Sequence, residues 1–251
     1  MLKKLLEIKD VNIPLVVTKK GKPSGRGLGI EQSPVATFGH ENNIPIIEVE
    51  KAREAFEQLI QSKAGLFFVV DFGKIIPQDI LDIPTKGTVN FHPSLLPQYR
   101  GPSPIVTPIL NGDMETGFSY MLLDAQMDHG PILYQEDVSI NPEDTAGTLE
   151  QKLFERGIEK LEYVISEYLS GKLKLLEQDH SRATITMLIQ KEDAFIDFTK
   201  EPADVIERKI RAYNPWPHVF FFLNGKRIQV IKSQVIKSQY EIGDQFTKTQ
   251  N

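Results

Sequence analysis

The run Ala64-Gly65-Leu66-Phe67-Phe68-Val69-Val70-Asp71 decides the fold. Its five consecutive apolar residues have the length of a strand, are β-branched or aromatic in all but one position, and keep none back for a face in water. A strand apolar on both faces belongs in a parallel sheet covered on both sides by helices. The flanking segments supply the alternation that such a sheet requires. Residues 13–18 and 44–49 read as strands, and residues 33–43 and 51–62 as helices. Leu2, Leu5 and Leu6 have the spacing of an amphipathic helix that opens in mid-course. Downstream, residues 87–92, 116–123 and 132–140 read as strands, with helices over 78–81, 104–111 and 149–169, the last capped by Thr145 or Thr148. From Lys172 the pattern loosens, and a smaller unit follows: a helix over 204–213, then a hairpin of 219–223 with 227–235 that turns at Asn224-Gly225. The expected organisation is a large α/β domain over 1–175, a linker over 176–190 and a second domain over 191–251.

With 251 residues, 40% hydrophobic and 25% charged, the chain has a globular balance and enough length for one large core and a smaller one. It has no cysteine, which excludes disulfides, thiolate metal ligands and a cysteine nucleophile. The N-terminal segment carries basic residues without the apolar run of a signal peptide, and no later stretch approaches membrane-spanning length, so a cytoplasmic location is expected. The net charge of -5 is unevenly spread. Lys19, Lys20, Lys22 and Arg26 lie in an acid-free stretch between Val11 and Ile30, and seven basic residues lie without an acid between Arg208 and Gln239. Such segregation suits contact with phosphates at two places, although solvated charged faces produce the same pattern.

Chemistry concentrates in Asn90-Phe91-His92-Pro93-Ser94-Leu95-Leu96-Pro97 and in Met127-Asp128-His129-Gly130-Pro131. Asn90 and His92 stand at the C-terminal end of a strand, where open parallel sheets place their ligands. Acyl transfer to an amine needs a donor for the developing oxyanion, a group to handle the amine proton and an orienting charge. An amide, an imidazole and a carboxylate fit those roles, although a lone histidine is usually structural and an aspartate before His-Gly-Pro is usually a turn former. His92 and His129 lack any compact metal-ligand spacing, so no metal is expected. Residues 21–27 lack the Gly-Lys-Ser/Thr of a phosphate-binding loop and read as a flexible basic loop.

Together these residues resemble the catalytic core of the folate-dependent formyltransferases. Arg100-Gly101-Pro102-Ser103-Pro104-Ile105 and Gly112-Asp113-Met114-Glu115-Thr116-Gly117 narrow the resemblance. Lys22-Pro23-Ser24-Gly25-Arg26-Gly27, Ser33-Pro34-Val35 and Arg211-Ala212-Tyr213-Asn214-Pro215-Trp216-Pro217 point to the branch of the family that acts on tRNA. The resemblance implies a Rossmann-like domain with a mostly parallel sheet and a C-terminal OB-like β-barrel. It also implies transfer of the formyl group of 10-formyltetrahydrofolate to the methionine amino group of initiator methionyl-tRNA by a monomer. By the same carry-over, Asn90 stabilises the oxyanion, and His92 and Asp128 position the formyl group and manage the amine proton. Ser94, Leu95, Leu96 and Pro97 match the folate-binding stretch, and the loop containing Phe72, Gly73 and Ile75 encloses the pterin. Lys22 and Arg26 meet the acceptor stem, while Arg208, Arg211, Lys226 and Arg227 hold the tRNA backbone. Formyltransferases acting on sugar amines or on glycinamide ribonucleotide share the Asn-x-His and Asp core and are the alternative, as is an inactive folate- or RNA-binding relic. Relative to the family pattern, the first strand and part of the barrel look absent, which predicts weak activity for the chain as it stands.

Overall fold

The computed structural model describes residues 1–24 and 29–236. In chain order, the N-terminal elements are α1 (Leu2–Glu7), β1 (Val16–Lys19), β2 (Lys22–Ser24), β3 (Gly29–Glu31), α2 (Pro34–Glu41), β4 (Ile46–Val49) and α3 (Phe56–Gln61). Then follow β5 (Phe67–Val70), α4 (Gln78–Leu81), β6 (Thr88–His92), α5 (Val106–Asn111), β7 (Glu115–Leu122), β8 (Ile132–Ser139) and α6 (Ala146–Leu169). The chain continues with α7 (Ala203–Ala212), β9 (Phe220–Leu223) and β10 (Lys226–Gln229).

The main sheet has the order β5-β6-β7-β8, and β1 and β4 form a separate two-stranded sheet. Both β1–β4 and β5–β6 are parallel, as the apolar runs require, whereas β7 runs antiparallel to β6 and to β8. The parallel and antiparallel parts therefore meet at β6, the strand that carries Asn90 and His92. Within the stretch expected as a flexible loop, Lys22–Ser24 instead pairs with Gly29–Glu31 in a short antiparallel ladder, so that the two arms satisfy backbone groups of each other. Arg26 and its neighbours from 25 to 28 lie outside the described residues.

The core sits between β6–β8 and α6. Leu149, Leu153, Leu161 and Ile165 recur at fourfold spacing along α6 and are buried against the sheet. Thr145 starts that helix by a reciprocal cap: its hydroxyl accepts from the Thr148 amide at 3.2 Å, and the Thr148 hydroxyl accepts from the Thr145 amide at 2.9 Å. Gly157 lets α6 approach closely, because a Cβ there would run into the ring of Phe91. That ring packs on Phe118, Tyr120 and Phe154 with centroids 5.5, 5.3 and 5.0 Å away. Burying each such side chain contributes about 1.5–3 kcal/mol, so β6 is the most firmly supported place in the sheet for a pair of polar side chains.

A second, smaller core joins Ala194, Ile196, Ile210, Tyr213 and Val219. The hairpin turns at Asn224 and Gly225, both with positive φ, as the Asn-Gly pair requires. Among the described residues this unit comprises a helix and a hairpin, and Phe222 and Leu223 on the hairpin are exposed.

Candidate active site

Asn90 and His92 are two residues apart on β6 and so share one face of the sheet. His92 is 4% exposed. Its Nε2 lies 2.9 Å from the Tyr99 carbonyl oxygen. A carbonyl only accepts, so Nε2 carries the proton and the neutral ring turns the lone pair of Nδ1 the other way. That lone pair faces Asp128, whose Oδ1 is 3.7 Å from Nδ1. The separation is too long for a direct hydrogen bond and leaves two acceptors converging on one point. Burial holds the His92 imidazole below its usual range, against the opposing effects of the Asp128 carboxylate and the Tyr99 hydrogen bond. The ring is therefore a neutral acceptor at neutral pH. Among the described residues, the Asn90 side chain has no hydrogen-bond partner, which leaves its amide free to donate.

Asp128 belongs to the connection between β7 and β8 and adopts φ 49°, in the left-handed region that aspartate tolerates better than most residues. Its Oδ2 accepts from the Gly101 amide at 2.7 Å. Gly101, with φ 104°, has no room for a side chain, since a Cβ would crowd the backbone and hydroxyl of Thr186. Tyr99 also has positive φ, and its phenol is hydrogen-bonded to Asp113. Left-handed non-glycine residues cost of order 1–3 kcal/mol each and cluster at functional sites. Here two of them bracket the imidazole.

The remaining expected residues fall into three groups. Ser94 and Leu96 are buried: the Ser94 hydroxyl donates to the Gln98 carbonyl at 2.7 Å, and Leu96 packs with Met121 and Ile132. Leu95 and Pro97 are only half-buried. Phe72, Gly73 and Ile75 follow the C-terminal end of β5, next to the His92 end of β6, and Ile75 is 90% exposed. Arg208 and Arg211 are engaged within the protein, Arg208 with Asp204 at 2.9 Å and Arg211 with Glu207 at 2.6 Å, and each also bonds a backbone carbonyl. Lys226 and Arg227 are exposed on the hairpin, the latter with its guanidinium 4.0 Å from the Phe220 ring centroid. Lys22 lies in β2.

The linker was read as a connector, but it is built into the site. Leu176 pairs with Ile132, Thr184 accepts from the Tyr99 amide at 2.7 Å, and Thr186 donates to the Arg100 carbonyl at 3.0 Å. The first is a backbone bridge and the other two join a side chain to distant backbone, and none of them leaves a periodic signal in the sequence. Among the described residues, no group of three or more potential metal ligands converges, and no helix is long and apolar enough to cross a membrane.

With this geometry in hand, the relatives are informative. Residues 2–165 match the model of the formyl transferase family, and residues 188–249 match that of the formyl transferase C-terminal domain. The chain belongs to the formyl transferase family. The methionyl-tRNA formyltransferase of Roseiflexus sp. (strain RS-1) is 42% identical over 223 residues, covering 88% of this chain and 68% of its own length. That of Geobacter sulfurreducens is 35% identical over 245 residues, covering 97% of this chain and 77% of its own. The fold is shared with HypX from Aquifex aeolicus, solved in complex with tetrahydrofolic acid, at a TM-score of 0.64 and 15% identity over 77% of this chain and 34% of that one. Membership makes the chain a Rossmann-like transferase and accounts for the C-terminal unit as a second domain of the same family.

Proposed function

We propose that this formyltransferase moves the formyl group of 10-formyltetrahydrofolate to the amino group of methionine on initiator tRNA. The observation that carries the reading is the neutral His92 Nδ1 held 3.7 Å from Asp128 Oδ1 on the face that also presents Asn90. The name shared by the Roseiflexus and Geobacter relatives supports the acceptor, and the tetrahydrofolic acid bound by HypX supports the donor class.

In the reaction the amine nitrogen bonds to the formyl carbon, the bond from that carbon to the folate nitrogen breaks, and one proton leaves the amine while another is taken up by the departing nitrogen. The Asn90 amide donates to the formyl oxygen as it becomes an oxyanion. His92 Nδ1 and Asp128 Oδ1, both acceptors, hold the attacking amine by its hydrogens and receive the proton it loses. Because the Ser94 hydroxyl and the Leu96 side chain face inward, folate contact falls to Leu95, Pro97 and the backbone of that run. The exposed apolar Ile75, beside Phe72 and Gly73, suits a pterin ring at the edge of the same cleft. For tRNA phosphates, Lys226 and Arg227 are exposed on the hairpin, and the basic stretch that holds Lys22 and Arg26 in the sequence supplies further positive charge. Arg208 and Arg211 serve first to join α7 to its neighbours.

Incubation with the formyl folate and charged initiator tRNA tests the reading. Formylated methionyl-tRNA is the expected product. A preference for glycinamide ribonucleotide or a sugar amine would overturn the acceptor.

A further inference from the structure

We propose that Gln178 is a positioning residue for Asp128. Its carboxamide, 6% exposed, makes four hydrogen bonds. Nε2 donates to the carbonyls of Asp128 at 3.0 Å and of Gly130 at 2.7 Å. Oε1 accepts from Arg100, at 2.5 Å from Nη2 and 3.2 Å from Nε. Both donors and the oxygen are satisfied, so the amide can face only one way.

The consequence is mechanical. The Asp128 carboxylate reaches the Gly101 amide, and Gly101 follows Arg100, the residue that Gln178 grips with its oxygen. Gln178 therefore ties the backbone of the carboxylate-bearing loop to the segment that receives the carboxylate. Arg100 extends the tie to His180, whose ring stacks on His129 at 4.0 Å and 8°, and His129 closes on Asp124 at 2.7 Å. The loop from Asp124 to Gly130 is thus held at both ends from the linker. A loop whose key residue sits in the left-handed region needs such over-determination to keep that conformation. A buried amide with two donors on the carbonyls at and just beyond Asp128 also fixes the peptide planes that aim its side chain at His92.

The proposal rests on the formyl-transfer reading, and its test separates the two. Gln178→Met keeps the length and volume and removes both hydrogen-bonding ends. Gln178→Glu retains the oxygens for Arg100 and removes the donors to the loop. With labelled histidine, the His92 titration is followed by NMR in the wild type and in Gln178→Met, alongside kcat and the KM for charged tRNA and folate. Gln178→Met is expected to lower kcat about ten- to a hundredfold with little change in KM, the scale of an ångström's misplacement at a reacting group. Its His92 is expected to titrate at lower pH, since a carboxylate that drifts away no longer raises the pKa that burial lowers. Gln178→Glu is expected to stay folded through its bonds to Arg100, although less stable than the wild type, and to lose kcat similarly. Full kcat in Gln178→Glu would overturn the proposal. So would an unmoved His92 titration in a folded Gln178→Met, whatever its kcat, because the loss would then be merely structural. If Gln178→Met fails to fold, Gln178→Glu alone decides. A wild type that formylates no amine would defeat the functional reading, while the His92 titration would still decide the positioning claim.

Discussion

The main sheet and the β1–β4 pair are made of similar apolar segments, yet they reach different degrees of burial. Along β7 the residues from Thr116 to Met121 are all buried, whereas β1 buries only Thr18 and β4 only Val49. The large core draws on β6, β7, β8, α5, α6 and the end of α7 and takes no buried residue from β1 or β4. A strand becomes rigid through paired edges and two covered faces, not through apolar sequence alone. Asn90 and His92 stand on the well-supported part, and the basic hairpin with Lys22 extends from the other. The division suits a protein whose chemistry must be held to a fraction of an ångström. Strand β5 lies between the extremes. Its composition is that of a central strand, yet all four of its residues are only half-buried because one edge lacks a partner among the described residues.

Amide hydrogen exchange gives the largest contrast. The Phe67 amide donates to Gly87, so by alternation those of Phe68 and Val70 point to the open edge. They are expected to exchange at least about a thousandfold faster than the amide of Tyr120 in the middle of the main sheet. Equal protection would break the comparison by showing that something pairs with that edge in solution. Next in size are the catalytic variants. Asn90→Ala and Asp128→Ala are expected to lower kcat by about 10²–10³ with little change in KM, the usual loss when a donor or orienting charge acts only in the transition state. Single-turnover formylation checks this, and wild-type rates in either variant would remove that residue from the mechanism. A paired glycine substitution then sharpens the contrast in packing. At Gly117 a Cβ would collide with the Glu136 carbonyl oxygen across the β7–β8 ladder, and backbone cannot swing aside. At Gly39, on α2, it would meet Cδ1 and Cγ1 of the half-buried Ile46 side chain, which can turn aside where backbone cannot. Urea unfolding is expected to show a loss of about 3 kcal/mol for Gly117→Ala and within about 1 kcal/mol for Gly39→Ala.

Much of this was legible in the sequence for a physical reason: apolar periodicity and caps are local. The helix over 78–81, the Thr145 cap and the Asn224-Gly225 turn all follow from residues within a few positions of one another. Asn90, His92 and Asp128 were legible as chemistry, and the structure brings His92 and Asp128 face to face. The charge reading depends on its window. The acid-free stretch was drawn from Arg208, but Glu201, Asp204 and Glu207 lie just before it, and they pair with Lys209, Arg208 and Arg211 from neighbouring turns of α7 or its approach. Three of the seven counted charges are therefore paired within their own stretch of chain, and Lys232 lies 3.8 Å from Glu143. Gln178, Thr184 and Thr186 were not legible at all, since their partners are backbone groups some 48 to 86 residues away.

The smallest expected effect concerns pH. In the unfolded chain the His92 imidazole titrates near 6.5, and in the folded protein burial keeps its pKa lower. Between those two values the unfolded state binds more protons than the folded one, so stability must fall as pH drops below about 6.5, and the fall ends once the folded ring also protonates. Asp128 narrows the window, because its carboxylate raises the folded value. In urea melts at pH 7.5 and 5.5, His92→Gln is expected to lose less stability between the two than the wild type does. The matching variant outside the main sheet is His40→Gln, at an exposed position of α2. If both variants flatten the dependence equally, burial within the main sheet is not its cause. If only His92→Gln does, the desolvation that makes this ring a neutral acceptor for the amine is being read directly as a cost in folding at low pH.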